Sequence, residues 1–365
     1  MGVRCFVLKV FLLVPLLLFV AAVNISVDPA GLYRKKADDH GRDEYRLVQA
    51  LVTGRAMTVA GPIDDRLVQK YLIDNLTSAP QVVVLGSSDS IWLGENIFSP
   101  KKTMNNSVLL AALADYLGIF EEYAKRNLYP QRVICLLNPQ LIMYPVFSEN
   151  WVSINENTYS MLNRLGVRSE KFQQPVIPQA WPYIFSFNYF QRSIRVLWGQ
   201  HQKLTCSVNK EVTEGDVLFK DGRRLLAKEL SSRGLEKKRR VIRGPYYGKL
   251  YQVNLDNELE DILEKFIRYL IKQHIQVTLC MLPVHPHLYQ SYLEPQKGQG
   301  ILDIVAVEQY YRSFAKKLNL EIVGSYNPTA CNLDSQDFYD GDHIRNDVLE
   351  RIFKQPGSLC SMSGL

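Results

Sequence analysis

Two stretches of this sequence have residue types and spacing that can do chemistry. One is Gly86-Ser87-Ser88-Asp89-Ser90; the other, near the far end, is Asp337-Phe338-Tyr339-Asp340-Gly341-Asp342-His343. A serine hydroxyl is a weak nucleophile until a base takes its proton, and an imidazole needs a carboxylate to fix its tautomer. Asp340 and His343, three residues apart, can share one turn and supply both groups. The chemistry expected is attack by Ser88 on an acyl carbonyl, with N–H groups at the start of a following helix facing the developing oxyanion. Gly86-Ser87-Ser88 is a weak signal by itself, since glycine and serine are what any turn uses. Ser90 competes with Ser88 as nucleophile, and Asp337 and Asp342 compete with Asp340 as the orienting acid. Asp342, adjacent to His343, tends to point elsewhere.

His285 and His287 form a His-x-His pair whose spacing can bind metal, but no acidic third ligand stands near them in sequence. A substrate-lining or structural role is expected for them, with no metal and no cofactor. Trp181, Tyr183, Phe185, Phe187, Tyr189 and Phe190 suit either a sugar-stacking surface or simple packing, and packing is the commoner use.

The elements that must position these residues alternate between strand and helix. Gln81–Leu85, Arg132–Leu137 and Gln276–Leu282 are short apolar runs rich in β-branched residues, and Leu320–Val323 is a fourth candidate. Continuous apolar strands suit a parallel sheet covered on both faces. Asp256 can cap a helix with Leu259, Ile262, Leu263, Phe266, Ile267 and Leu270 on one face, and another helix carries Leu113, Tyr116, Leu117 and Phe120. The expected fold class is therefore α/β, three layers, doubly wound. Residues 79–143 and 254–350 form that domain, 144–253 an inserted cap over the sheet's carboxyl edge, and 25–78 a membrane-proximal stalk.

Residues 1–24 read as a transmembrane anchor. Cys5–Val23 is an apolar run of 19 residues interrupted once, at Lys9. As a helix it would reach roughly 28 Å, about the thickness of a bilayer's hydrocarbon core. Arg4 and Lys9 favour a cytoplasmic start; a signal peptide cleaved near Ala22 is the rival. The expected location is a single pass through a bacterial inner membrane, with the remainder facing the periplasm or the exterior.

The 365 residues carry a net charge of +6, and Lys220–Lys249 holds eleven Lys/Arg against three Asp/Glu, a local +8. Such a run is usually a solvated face, and no nucleic-acid motif accompanies it. Among six cysteines there is no C-x-x-C pair. Cys135 and Cys280 fall in core strands as free thiols, whereas Cys206, Cys331 and Cys360 can pair in an oxidising compartment.

The two blocks, in this order, resemble those of the SGNH/GDSL hydrolase superfamily, in particular its membrane-anchored envelope branch tied to polysaccharide O-acetylation and teichoic-acid D-alanylation. Val27-Asp28-Pro29-Ala30-Gly31, Asn105-Asn106-Ser107-Val108 and Leu282-Pro283-Val284-His285-Pro286 extend the likeness over most of the chain, with gaps in the cap. The resemblance implies a flavodoxin-like sheet. It also implies a triad of Ser88, Asp340 and His343, and an oxyanion hole from Ser88, the Leu110 region and Asn138. Where that family carries a glycine after the Asn-Asn-Ser-Val stretch, this chain has Leu109-Leu110-Ala111, which keeps the backbone N–H but brings side chains to the pocket.

Two functions follow. The first is an acyl esterase or O-acyltransferase acting on a cell-envelope glycan, with a multi-pass membrane acyltransferase as an expected partner. The second is a non-catalytic SGNH-like assembly factor that keeps the fold and binds a polysaccharide or that acyltransferase; the leucines favour it. An anchored binding protein in which Ser88 and His343 are structural is a third, weaker alternative.

Overall fold

The structure, a computed structural model, describes residues 3–28, 43–59, 63–142, 149–172, 181–198, 204–206, 215–225, 256–293 and 304–354. Nine strands appear among them: β1 (Met57–Val59), β2 (Val82–Leu85), β3 (Thr103–Asn105), β4 (Arg132–Leu136), β5 (Leu204–Cys206), β6 (Asp216–Leu218), β7 (Arg224–Leu225), β8 (Gln276–Met281) and β9 (Glu321–Gly324). β2, β3, β4, β8 and β9 make a parallel sheet in the order β3-β2-β4-β8-β9. Counted within that sheet the order is 2-1-3-4-5, so the winding reverses between β2 and β4. Side chains alternate across a strand, and both faces are covered. Val83, Leu85, Val133, Cys135, Val277 and Leu279 pack with residues of the helices Asp65–Asp74, Leu113–Lys125, Asn257–Lys272 and Ile304–Leu318. Val82, Val84, Ile134, Leu136 and Cys280 pack with Phe338, Ile344, Val348, Leu349 and Ile352. The expectation of a parallel α/β sheet flanked by helices is met.

The helix Asn257–Lys272 illustrates how the sequence builds this core. Asp256 caps it, its carboxylate accepting from the N–H groups of Glu258 (3.0 Å) and Leu259 (3.3 Å). The six apolar residues of its inner face are all fully buried. At about 1.5–3 kcal/mol for each side chain that stripe contributes roughly 10 kcal/mol before conformational entropy opposes it.

A second, antiparallel sheet runs β5-β1-β6-β7. It joins the segment read as a stalk, which supplies β1, to the segment read as a cap, which supplies the other three strands. The start of the basic stretch is integrated here rather than solvated. Arg224 pairs with Asp65 and Asp216, and the Arg223 guanidinium lies 4.2 Å from the Phe219 ring centre and 5.2 Å from that of Trp92. Residues 226–249 of the basic stretch lie outside the described residues.

The expected transmembrane anchor is not supported, and with it falls the single-pass inner-membrane location. Among the described residues no helix is long and apolar enough to cross a membrane. The N-terminal helix Val3–Val27 instead docks its last turns on the helices Trp181–Ile184 and Phe187–Leu197. Val20, Ala21 and Asn24 are buried there. The Asn24 amide donates to the carbonyls of Tyr183 (3.0 Å), Ile184 (2.9 Å) and Ser186 (3.2 Å), and accepts from Ser193 Oγ (3.2 Å). Tyr189 donates to Asp28 at 2.8 Å. Counting apolar residues cannot reveal a polar pin of this kind. Tyr189 and Phe190, read as sugar-stacking or packing residues, pack: Tyr189 is buried, and Phe190 stacks on Phe187 and meets Phe19 edge-on.

Cys135 and Cys280 are buried free thiols, and burial pushes the Cys135 thiol up to about 12. Cys331 is disulfide-bonded, to a partner outside the described side chains.

Candidate active site

The carboxyl ends of the parallel strands carry every residue singled out for chemistry. β2 leads through Gly86 into a single 3-10 turn, Ser88–Ser90, rather than into a long helix. The helix N-terminus expected to face an oxyanion is therefore reduced to one turn. That turn is braced from beneath. Ser90 Oγ meets Ser107 Oγ at 2.9 Å and donates to Ser87 O at 2.9 Å, while Asn105 Nδ2 donates to Ser90 O at 2.7 Å. Asn106 is held by Gln69 (2.7 Å) and Tyr123 (2.6 Å). The Asn-Asn-Ser stretch is thus a buried frame for the serine turn, and it leaves Ser88 half-buried at the surface.

The next loop runs beside it. Val108 N–H donates to Gly86 O (3.2 Å) and Ala111 N–H to Ser87 Oγ (3.3 Å). Between them Leu110 has φ +53°, the left-handed region that favours glycine. A leucine is therefore held here in a glycine-like backbone.

Asn138 follows β4, the neighbour of β2 at the point where the winding reverses. Open α/β sheets bind ligands outside the carboxyl ends of strands at that point. Three buried tyrosines fix the end of β4: Tyr116 donates to Leu136 O (2.8 Å), Tyr326 to Leu137 O, and Tyr311 to Asn138 O (3.2 Å). Asn138 Oδ1 accepts from Gln140 N–H at 3.2 Å, so its Nδ2 is the amide atom left to face a ligand. Nothing in the spacing of the tyrosines announces this clamp.

Asp340 and His343 sit on one tight loop, as their spacing suggested. His343 Nδ1 lies 2.8 and 2.9 Å from the two Asp340 oxygens. Asp340 Oδ1 also accepts the N–H groups of Asp342 and His343, each at 3.0 Å. The loop is closed by a Phe338–Ile344 bridge and by Tyr339 N–H on His343 O (2.8 Å). His285, buried after β8, ties the loop to the sheet: its N–H donates to Gly341 O at 2.8 Å and its ring meets Phe338 edge-on. His287 is exposed, stacks on His285 and donates its N–H to His285 Nδ1 at 3.1 Å. His285 thus positions the acid–imidazole loop; among the described residues no cluster could hold a metal ion.

The two blocks, about 250 residues apart in sequence, are electrostatically coupled through Asp89 and His343. Burial alone would lower the His343 ring, but the hydrogen bond and charge of Asp340, with Asp342 and Asp89, raise it to about 9. Burial would raise Asp340, yet His343 and the two backbone N–H groups hold it below the usual carboxylate range. Asp89, next to Ser88, is raised by burial, opposed by the charge of His343, and its Oδ1 is buried without a hydrogen-bond partner. The serine turn therefore lies within the field of the imidazole. No hydrogen bond joins Ser88 to His343 in this structure; the side-chain bonds of His343 among the described residues go to Asp340. Asp89 was legible only as part of the serine block, since its electrostatic coupling to His343 is tertiary.

The sequence matches none of the known family models, and no curated protein matches it.

Proposed function

We propose that this chain is a serine-dependent acyl esterase or O-acyltransferase of SGNH-like, flavodoxin-type architecture, acting on a cell-envelope glycan. The observation that carries the reading is the Asp340–His343 hydrogen-bonded pair, whose imidazole is electrostatically coupled to Asp89 of the serine turn. It lies at the carboxyl edge of a 2-1-3-4-5 parallel sheet, with Asn138 on the adjoining strand end. Asp340 holds Nδ1 in its protonated form, so Nε2 of a neutral His343 is the atom that takes the Ser88 proton. Ser88 Oγ then bonds to the acyl carbon, and the oxyanion is faced by the N–H groups of Ser88 and Leu110 and by Asn138 Nδ2. The ester C–O bond breaks, the leaving oxygen takes the proton from Nε2, and water or a sugar hydroxyl releases the acyl group by the reverse steps. A multi-pass membrane acyltransferase is a fitting source of the acyl group.

A second reading, a non-catalytic assembly factor, draws on two observations. His343 is held protonated near neutrality, and Ser88 is not bonded to it. Covalent labelling separates the two. Full-length protein treated with a fluorophosphonate probe is expected to label at Ser88, and Ser88→Ala and His343→Ala each to remove nearly all label, the double variant losing little more. Folded wild-type protein that takes no label between pH 7 and 10 would leave the assembly factor as the answer.

A further inference from the structure

We propose that Leu109 and Leu110 are the wall of an acyl subsite beside Ser88, so that the preferred ester carries an apolar acyl chain several carbons longer than acetyl. This rests on the acyl-transfer reading above. In the loop 108–112 the neighbours Val108, Ala111 and Ala112 are buried, at 1–3% exposure, while Leu109 and Leu110 stand out at 37% and 43%. An exposed leucine alone needs no explanation. This pair has one, because the backbone that displays it is strained and clamped.

A leucine at φ +53° persists only where its surroundings over-determine it, and here they do. Leu109 N–H donates to Asp65 Oδ2 (3.1 Å), and Arg66 donates to Leu110 O (3.3 Å). Arg66 is itself locked on Asp115 through Nε (2.9 Å) and Nη2 (3.1 Å), and Asp115 accepts the Ala112 N–H (2.8 Å). Asp65 is held in turn by Arg224 of the second sheet. Arg66 and Asp115 are each 2% exposed. A buried ion pair is thus spent on the path of a five-residue loop, and its outcome is two leucyl side chains exposed to water on a loop joined to the serine turn by the Ala111–Ser87 bond. A glycine would take the same backbone without strain and leave the space open. What the leucine adds is exposed apolar surface on the loop that is bonded to the serine turn. Removal of that surface from water is the free energy a longer acyl chain would recover.

The test uses full-length protein, p-nitrophenyl acetate and p-nitrophenyl octanoate, with Ser88→Ala subtracted as background. The wild type is expected to favour octanoate in kcat/KM by at least about tenfold, and Leu110→Gly to cut that ratio by a similar factor through loss of octanoate turnover. Leu110→Gly is also expected to melt no lower than wild type, because glycine suits the left-handed backbone. Ser88-dependent hydrolysis with an octanoate-to-acetate ratio near one, or a ratio unmoved in Leu110→Gly and Leu109→Ser, would overturn the subsite while leaving the nucleophile intact. A fall in oligomeric mass in these variants with no change in the ratio would likewise overturn it, assigning the leucines to contact between copies. Absence of any Ser88-dependent turnover or fluorophosphonate labelling would overturn the acyl-transfer reading itself, and the subsite with it.

Discussion

At His343 the two ring nitrogens face different surroundings. Nδ1 is committed to Asp340 at 2.8 Å, which leaves Nε2 as the nitrogen not held by that carboxylate. Three carboxylates, Asp340, Asp342 and Asp89, stabilise the imidazolium and raise His343 to about 9. A base must be neutral to accept a proton, so phosphonylation of Ser88 by a fluorophosphonate, with loss of fluoride, is expected to rise with pH and reach half its plateau near 9. Asp89→Asn removes one of the three negative charges and should move that midpoint down, by about one unit or less. A pH series of labelling rates checks this, and a midpoint unchanged or raised in the variant would contradict it. The sign for stability follows from the same group. His343 binds its proton more tightly folded than unfolded, so its contribution is complete below about 6.5 and is lost as pH rises through about 9. Asp340, held low, contributes above the unfolded carboxylate range and loses its contribution as pH falls through its depressed value.

At the scale of the element, the serine turn depends on its glycine more than on any cap. A Cβ on Gly86 would sit 2.0 Å from Ser90 Oγ and 2.9 Å from Ser107 Oγ, inside the hydroxyl pair that braces the turn. Gly86→Ala must displace Ser90 and break that pair. The expected cost is about 1–3 kcal/mol in urea unfolding, as for other overpacked core positions, together with loss of Ser88 labelling. Unchanged labelling in a variant of unchanged stability would mean that the turn has room the structure does not show. The continuous apolar run of β2, the cap at Asp256 and the Asp340–His343 turn were all readable from the sequence, because an apolar run, capping and a three-residue turn are local properties. The Leu110 backbone was not. A left-handed residue is ordinarily announced by glycine or asparagine, and here it is imposed on leucine by Asp65, Arg66 and Asp115.

On the scale of the whole molecule, the N-terminal helix is fastened to the rest of the chain by polar contacts centred on Asn24, with Tyr189 on Asp28 beside them. Asn24→Leu keeps a similar volume but leaves the carbonyls of Tyr183, Ile184 and Ser186 without their common donor. It should lower stability by about 1–3 kcal/mol. Limited proteolysis is expected to release the first 28 residues earlier than in wild type, with Ser88 labelling retained. Equal protection of that segment in both proteins would show that Asn24 is not what fastens it. The fixture also explains why apolar length misled. Over the last turns of this helix the chain's own helices take the place a bilayer would occupy.

What the sequence by itself determined are the features fixed within one element or one turn. These are four of the five strands of the parallel sheet, the amphipathic helices, and an acid–imidazole pair able to close on itself. β3 escaped notice because three residues, Thr103–Asn105, are too few to show a period. What only the tertiary structure decided is whatever depends on chains meeting from far apart. The strand order that sets β4 beside β2, the field of Asp89 on His343, the tyrosines on the end of β4 and the docking of Val3–Val27 are all of this kind. The physical reason is range: hydrophobic period and turn chemistry act over a few residues. Burial, strand pairing and Coulomb interaction act between whichever residues the folded chain brings close, and spacing along the sequence carries no record of that.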